Sequence, residues 1–230
     1  MMQRPFLGSG IIGVFSIAVF LVLTTVFPSK APSMMEGFSV PIIAFEFVQT
    51  PQEVHQLFGL SASAARDEMV AAMDRGNRLD FIYLCLYGSF LMTFSLKTAA
   101  VTGKKRYAAG AVLAAAALVA DAMENVQLLT ITSNIDAGDF GRALFYLHYF
   151  TWIKWGGIVA VFLLLAPYFF SGGGFSKTIA LAGTACAVLA VLSYLHRSSL
   201  NEIFAFAVGV VFLLMIVYAF LYREEGREGT

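Results

Sequence analysis

Charged and polar side chains interrupt two long apolar stretches of the sequence, and their spacing brings several of them onto one helix face. Asp121, Glu124 and Asn125 stand at i, i+3 and i+4, so one face of a helix carries all three. His148 and Lys154 interrupt the next apolar stretch. Carboxyl groups in such surroundings can accept or deliver protons, and a lysine can hold an anionic group or pair with a carboxylate.

The elements that must position these residues are membrane-spanning helices. Hydrophobic side chains make up 59% of the 230 residues and charged ones 13%, against about 45–50% and about 25% in soluble domains. A bilayer needs about 20 apolar residues per helix, and runs of that size recur along the whole chain. The pattern predicts an all-α fold: a single membrane domain, residues 1–230, with six transmembrane helices at about 6–27, 79–101, 107–132, 143–170, 178–195 and 203–222.

The lysines and arginines of the short loops predict the orientation in the membrane. With the N-terminus inside, most of them are cytoplasmic: Arg4, Lys97, Lys104, Lys105, Arg106, Lys177, Arg223 and Arg227. The short loops on the other side hold only Arg142 and Arg197. We therefore expect both termini in the cytoplasm and the protein in the cytoplasmic (inner) membrane.

A G-x-G-x-x-G pattern, Gly8 to Gly13, stands inside the first apolar stretch. No strand precedes it, so it lacks the context of a dinucleotide-binding motif. Small residues in a membrane helix allow a neighbouring helix to approach closely. The pattern therefore predicts helix packing.

The loop 28–78 between the first two spans is predicted to be folded and to cover the outer face of the bundle. Thr50-Pro51-Gln52-Glu53 combines an N-cap, a proline at the first helical position and a glutamate at N3, which predicts a short helix near 51–58. A second helical stretch, from about 64 to 76, is expected to run into the second span. Residues 40–47 are apolar except for Glu46 and are expected to lie along the membrane surface.

The helical rise of 1.5 Å per residue predicts which polar groups share a level. Asp121 lies about 17 Å from the outer end of its helix and Lys154 about 17 Å from the outer end of the next, so we expect them to face each other as an ion pair. Glu124, at about 12 Å, has no cation at its level and is expected to line a cavity open towards Asp80 and His148. The predicted pocket or polar cluster comprises Asp80, Tyr83, Tyr87, Asp121, Glu124, Asn125, His148 and Lys154, with a contribution from the covering loop by Glu46 and His55.

Two interpretations of this cluster stay open. Intramembrane polar contacts often serve helix packing, and they also mark functional pockets. Glu202 is interpreted as part of a capping box, Ser199 to Glu202, that begins the sixth helix. His55, His148 and His196 have no second histidine at i+3 or i+4, so no metal site is predicted, and the cofactor, if any, is unknown.

Three stretches resemble a family of bacterial polytopic inner-membrane proteins to which no activity is attached. They are Ala44-Phe45-Glu46-Phe47 with Thr50-Pro51-x-Glu53, then Leu79-Asp80-Phe81 followed by Tyr83 or Tyr87, and Asp121-x-x-Glu124-Asn125 followed by Lys154-Trp155. The resemblance covers about residues 40–165. It implies that Glu46, Asp80, Asp121, Glu124, Asn125 and Lys154 correspond to the shared polar positions of that family.

Three classes of function agree with the sequence. The first is a membrane protein that binds an amphiphilic or lipid-like ligand in an outward-facing polar pocket. The alternatives are an accessory or structural subunit of a larger membrane complex, and an intramembrane acid–base enzyme acting on a lipid-derived substrate. The expected partners are the lipid bilayer, a lipid-like ligand and other membrane proteins. Fifteen basic and fifteen acidic residues balance each other, which gives no indication of a nucleic-acid partner.

Overall fold

The computed structural model describes residues 4–223, and it has the predicted all-α fold. The helices are α1 (Leu7–Val26), α2 (Pro41–Glu46), α3 (Pro51–Phe58), α4 (Ala64–Thr102), α5 (Ala109–Ser133), α6 (Gly141–Phe170), α7 (Gly174–Leu195) and α8 (Ser199–Leu221), with a 3-10 turn at Lys105–Ala108. Within the described part of the chain there is no strand. Six helices, α1 and α4 to α8, are long and apolar enough to cross a membrane, which indicates a multi-pass membrane protein. Arg227 lies outside the described residues.

The six long helices form a ring in which each packs on two neighbours. The helices α4 to α8 follow one another around the ring in chain order, and α1 closes it between α8 and α4. A Cβ atom on Gly13 would collide with Ile216 of α8, and one on Gly10 would lie 3.0 Å from the ring of Phe220. The predicted packing role of the glycine pattern is therefore confirmed.

Residues 27–63, which we call the lid, cover one end of the ring, which we call the lid end. Helix α3 has the predicted bounds, and both halves of its capping box are present: Glu53 N donates to Thr50 Oγ1 at 3.3 Å, and Thr50 N donates to Glu53 Oε2 at 3.2 Å. Helix α4 begins at Ala64, with Ser63 as its N-cap, and continues without a break for 39 residues. The predicted continuation of the second helical stretch into the second span is thus confirmed.

Two apolar cores lie along the ring, and on α4, α5 and α6 polar residues lie between them in sequence. One core is at the lid end, where Phe45 and Phe58 of the lid pack with residues such as Leu147 of α6. The other fills the ring further along, with residues such as Phe94 and Phe212. The residues between the two cores, which we call the polar layer, are Asn77, Asp80, Asp121, Glu124, Asn125, Thr151 and Lys154.

Helix α8 begins with a different capping box from the one that the sequence predicts. Ser198 is the N-cap and Asn201 occupies N3, with Ser198 N donating to Asn201 Oδ1 at 3.0 Å. The prediction of Ser199 and Glu202 as the box is wrong because Ser198, whose backbone is extended, supplies the hydroxyl that caps the helix. Glu202 lies outside this box and binds the lid instead.

Candidate functional site

The Lys154 ammonium is the centre of the polar layer. Its Nζ makes its closest contact with Glu124 Oε2, donates to Glu46 Oε2 at 3.0 Å, and lies 3.5 Å from Asp121 Oδ1. The lysine side chain is only 6% exposed. We call Glu46, Asp121, Glu124 and Lys154 the carboxylate–lysine cluster. It joins the lid, α5 and α6 at one point.

The prediction that Asp121 and Lys154 face each other is confirmed by the distance between them. The prediction that Glu124 has no cation within reach is wrong, because Glu124 makes the shortest contact of the cluster with Lys154. The predicted depths of Glu124 and Lys154 gave the positions of their backbone atoms along the helix axes and not those of the side-chain ends. A lysine stem of four carbons reaches about one helical turn along the axis, and one turn is about 5.4 Å, which is enough to connect the two levels.

Hydrogen bonds from neighbouring side chains fix the carboxylates. Tyr87 Oη donates to Asp121 Oδ2 at 2.6 Å, and Thr151 Oγ1 lies 2.7 Å from Glu124 Oε1. The Thr151 hydroxyl is also 2.8 Å from the Leu147 carbonyl oxygen, so its single proton serves one acceptor at a time. These bonds connect α4, α5 and α6 within the polar layer.

A second pair, Asp80 and Asn125, lies beside the cluster and does not contact Lys154. Asn125 Nδ2 donates to Asp80 Oδ2 at 2.7 Å and links α4 to α5. Tyr83 is near this pair, but its ring packs between Phe20 and Tyr87, with centroid distances of 6.0 and 5.3 Å. On this face of α4, Asp80 therefore makes a polar contact with α5, whereas the Tyr83 ring makes aromatic contacts.

The two predicted histidines are not part of the cluster. His148 faces α7, where its ring centroid is 6.4 Å from that of Tyr194. His55 packs edge-on against Phe140 at 5.4 Å, within the lid-end core. The prediction of a cavity lined by Glu124 and open to His148 is wrong, because Glu124 is fully buried and His148 is on another face of α6.

Two open surface cavities lie away from the cluster. One, of about 510 Å³, includes His148 and the start of α3 at Pro51. The other, of about 490 Å³, lies between α5 and α6 and includes Met123 and Arg142. Neither is lined by a member of the carboxylate–lysine cluster, so neither opens onto it.

Thr151 and Trp155 belong to the site and were not predicted. Thr151 stands three residues before Lys154 on the same helix face, and this spacing could have identified it. Trp155, the next residue after Lys154, lies about 100° further around the helix and has no such signal. The Trp155 ring centroid is 4.8 Å from Lys154 Nζ. Its buried indole N–H forms no hydrogen bond of ordinary geometry with the described residues, but it interacts with the Glu46 carboxylate and contributes to lowering the pKa of that group.

Two residues at the α7–α8 turn hold the lid at both ends of α2, and we call their contacts the clasp. Glu202 accepts hydrogen bonds from Ser39 N at 2.6 Å, Ser39 Oγ at 2.6 Å and Val40 N at 2.7 Å, immediately before α2. Arg197 donates to the Phe47 carbonyl oxygen at 2.7 Å, immediately after α2, and forms a two-point contact with Glu53. The clasp thus determines the position of the helix that carries Glu46.

The cluster holds more acidic than basic groups. Three carboxylates surround one ammonium, so the fully ionised cluster would have a net charge of −2. An unpaired charge in the membrane interior costs at least about 2.5–3.5 kcal/mol. A neutral cluster therefore requires two bound protons in addition to the lysine ammonium. In the lid, burial raises the pKa of Glu46 above its ordinary value, although the Lys154 ammonium lowers it.

No protein-family model, curated protein or solved structure matches the chain. The resemblance to a family of bacterial inner-membrane proteins stays a prediction.

Proposed function

We propose that this chain is a multi-pass protein of the bacterial cytoplasmic membrane that binds an amphiphilic, lipid-like ligand at the carboxylate–lysine cluster. The observation that carries the proposal is the position of Glu46: a residue of the lid completes the surroundings of a lysine that is buried in the helix ring. A contact that only joined spanning helices would need no group from outside them. A lid residue at this point makes access to the lysine depend on the lid.

The proposed orientation places the lid end on the outer side of the membrane and both termini in the cytoplasm. It rests on the excess of lysine and arginine at the end opposite the lid, where Lys97, Lys104 and Lys177 lie. The Lys154–Asp121 pair is then an intramembrane ion pair in the outer half of the bilayer. A ligand would reach it from the outer side or the outer leaflet.

The surroundings of the cluster suit a ligand with one polar end and one apolar end. Trp155 packs against both apolar cores, and its ring centroid is 5.2 Å from that of Phe204. Phe47 of the lid covers Trp152 at a centroid distance of 5.5 Å. A displaced lid would leave a charged centre next to an apolar wall, which is the usual composition of a small-molecule site.

The test is native mass spectrometry of the full chain, purified in a mild detergent, with lipid extraction from the same sample. We expect the unmodified chain to retain a lipid-like molecule and Lys154→Met to lose it. The matched control is Lys97→Met, which removes an exposed lysine on α4 at the end away from the lid and should leave retention unchanged.

Size-exclusion chromatography and helix content by circular dichroism decide whether each variant is folded. If Lys154→Met does not fold, Glu46→Gln replaces it in the comparison and is expected to change the amount of ligand retained. A chain that retains nothing specific, or the same amount in Lys154→Met as in Lys97→Met, contradicts the proposal.

A further inference from the structure

We propose that the ligand's head group is a carboxylic acid that takes the place of the Glu46 carboxylate on Lys154 when the lid opens. This inference rests on the proposed function and names the ligand class. In the closed state the lid carboxylate acts as an internal substitute for the ligand.

Glu46 is the member of the cluster that can leave without moving a spanning helix. Asp121, Glu124 and Lys154 belong to α5 and α6, whereas Glu46 is the last residue of α2 in the lid. Its side chain is 14% exposed, against 1% for Glu124 and 6% for Asp121. A displaced lid therefore removes one carboxylate from Lys154 and leaves the other two in place.

An arriving carboxylic acid would restore the composition of the closed cluster. One carboxyl group replaces another, so the total charge and the number of bound protons that keep the cluster neutral are unchanged. A monoanionic sulfate or phosphodiester would match the charge of the displaced carboxylate, but it cannot bind or exchange a proton at neutral pH. A carboxyl group can share a proton with Asp121 or Glu124, so it replaces Glu46 more completely. An ammonium head group at the same position would meet the Lys154 ammonium.

The hydrogen-bonding groups at this position also favour an acceptor. The Trp155 indole N–H is buried and forms no hydrogen bond of ordinary geometry with the described residues, although it interacts with the Glu46 carboxylate, and an indole can only donate. It lies beside Lys154, which is a second donor. A carboxylate has two acceptor oxygens, so a free carboxylic acid that is not constrained by the lid backbone could bind both donors.

The test uses intrinsic tryptophan fluorescence, because the chain has two tryptophans and both are at the site. Trp152 contacts Phe47 of the lid, and Trp155 is next to Lys154. The full chain, in a mild detergent, is titrated with dodecanoate, dodecylamine, dodecyl sulfate and dodecanol, which share the alkyl chain and differ in the head group. We expect a saturable change in emission with dodecanoate, a weaker one with dodecyl sulfate, and none with dodecylamine or dodecanol.

Three variants make the proposal specific. Glu46→Gln removes the competing lid carboxylate and should tighten dodecanoate binding about tenfold or more, whereas Glu36→Gln, an exposed carboxylate elsewhere in the lid, should leave it unchanged. Trp155→Phe removes the indole donor and should weaken binding, with Trp152 still reporting.

Each outcome separates the two proposals. Saturable binding of dodecylamine or dodecanol without dodecanoate overturns the carboxylic-acid inference and leaves the proposed function supported. Binding of dodecyl sulfate as tight as that of dodecanoate, or tighter, has the same consequence. Equal dodecanoate affinity in Glu46→Gln and the unmodified chain also overturns the inference. No saturable response to any of the four amphiphiles, in the unmodified chain or in Glu46→Gln, contradicts both proposals.

Discussion

Replacing Lys154 with methionine removes the positive charge on which the buried Asp121 and Glu124 and the partly buried Glu46 depend. Methionine keeps most of the apolar stem, so the change is mainly electrostatic. Breaking a buried ion pair by removing one partner typically costs about 3–5 kcal/mol. The variant can reduce this cost only by binding one more proton than the unmodified chain does.

The cost of that proton can be worked out from ordinary carboxyl chemistry. A free carboxyl group has a pKa of about 4.3, and each pH unit above it adds about 1.36 kcal/mol to the cost of protonation. Protonation therefore costs about 3.7 kcal/mol at pH 7 and about 1 kcal/mol at pH 5. We expect Lys154→Met to lose about 3–4 kcal/mol of unfolding free energy at pH 7 and clearly less at pH 5.

The assay is equilibrium denaturation in detergent at both pH values, with Lys97→Met as the control for loss of an exposed lysine. The double variant Lys154→Met with Glu124→Gln needs no additional proton and should recover much of the loss. Because Glu124 makes the closest contact with Lys154, this pair should recover more than Lys154→Met with Asp121→Asn. An unchanged stability, or a loss of equal size at both pH values, would refute the electrostatic reasoning.

Four further predictions concern the lid and the orientation. Thr50→Ala removes the N-cap and should destabilise α3 by about 0.5–2 kcal/mol. Arg197→Gln should release the clasp. Both variants should speed hydrogen exchange in residues 41–58, whereas the control Arg142→Gln, at the same end of the ring, should not. Burial raises the pKa of Glu53, but hydrogen bonds from Arg197 and the lid backbone outweigh burial and hold this pKa below its ordinary value of 4.5. The contribution of Glu53 to the stability of the lid is therefore complete above pH 4.5 and is lost as the pH falls through the lowered pKa. Hydrogen exchange in residues 41–58, measured in acid, should show this loss. A reporter inserted near Lys104 and one at the C-terminus should report the cytoplasm, and one near Ala62 should report the opposite side. Any other pattern contradicts the proposed outer position of the lid and the cluster.

The fold was predictable to a large extent because membrane helices follow from length and composition. Hydrophobic runs located all six spans, and the Thr50–Glu53 pattern located α3 with its correct bounds. The six spans and α3 were predictable because each depends on residues that are close together in the sequence. The ring order of the helices, with α1 between α8 and α4, depends on contacts between distant residues and could not be read from local patterns.

The candidate site was only partly predictable for the same reason. Helical spacing and depth brought Asp121 and Lys154 together, but depth places backbone atoms and not the ends of long side chains. Glu124 was therefore assigned away from the lysine that it contacts. His148 was assigned to the site by depth alone, although the rotation of α6 turns it towards Tyr194. The clasp joins residues about 150 positions apart in the chain, and no local pattern indicates it.

The composition of the cluster is more informative than its burial. One carboxylate and one lysine would already form a neutral pair that joins α5 to α6, and apolar residues of similar volume often stabilise a fold as well as such a pair does. Each additional carboxyl group adds a buried polar group that must be hydrogen-bonded or protonated. The third one is carried by Glu46, on a helix that the clasp holds at both ends. A lysine that only joined α5 to α6 would not require the Glu46 carboxylate. A site that exchanges the Glu46 carboxylate for the carboxyl group of a ligand would require it.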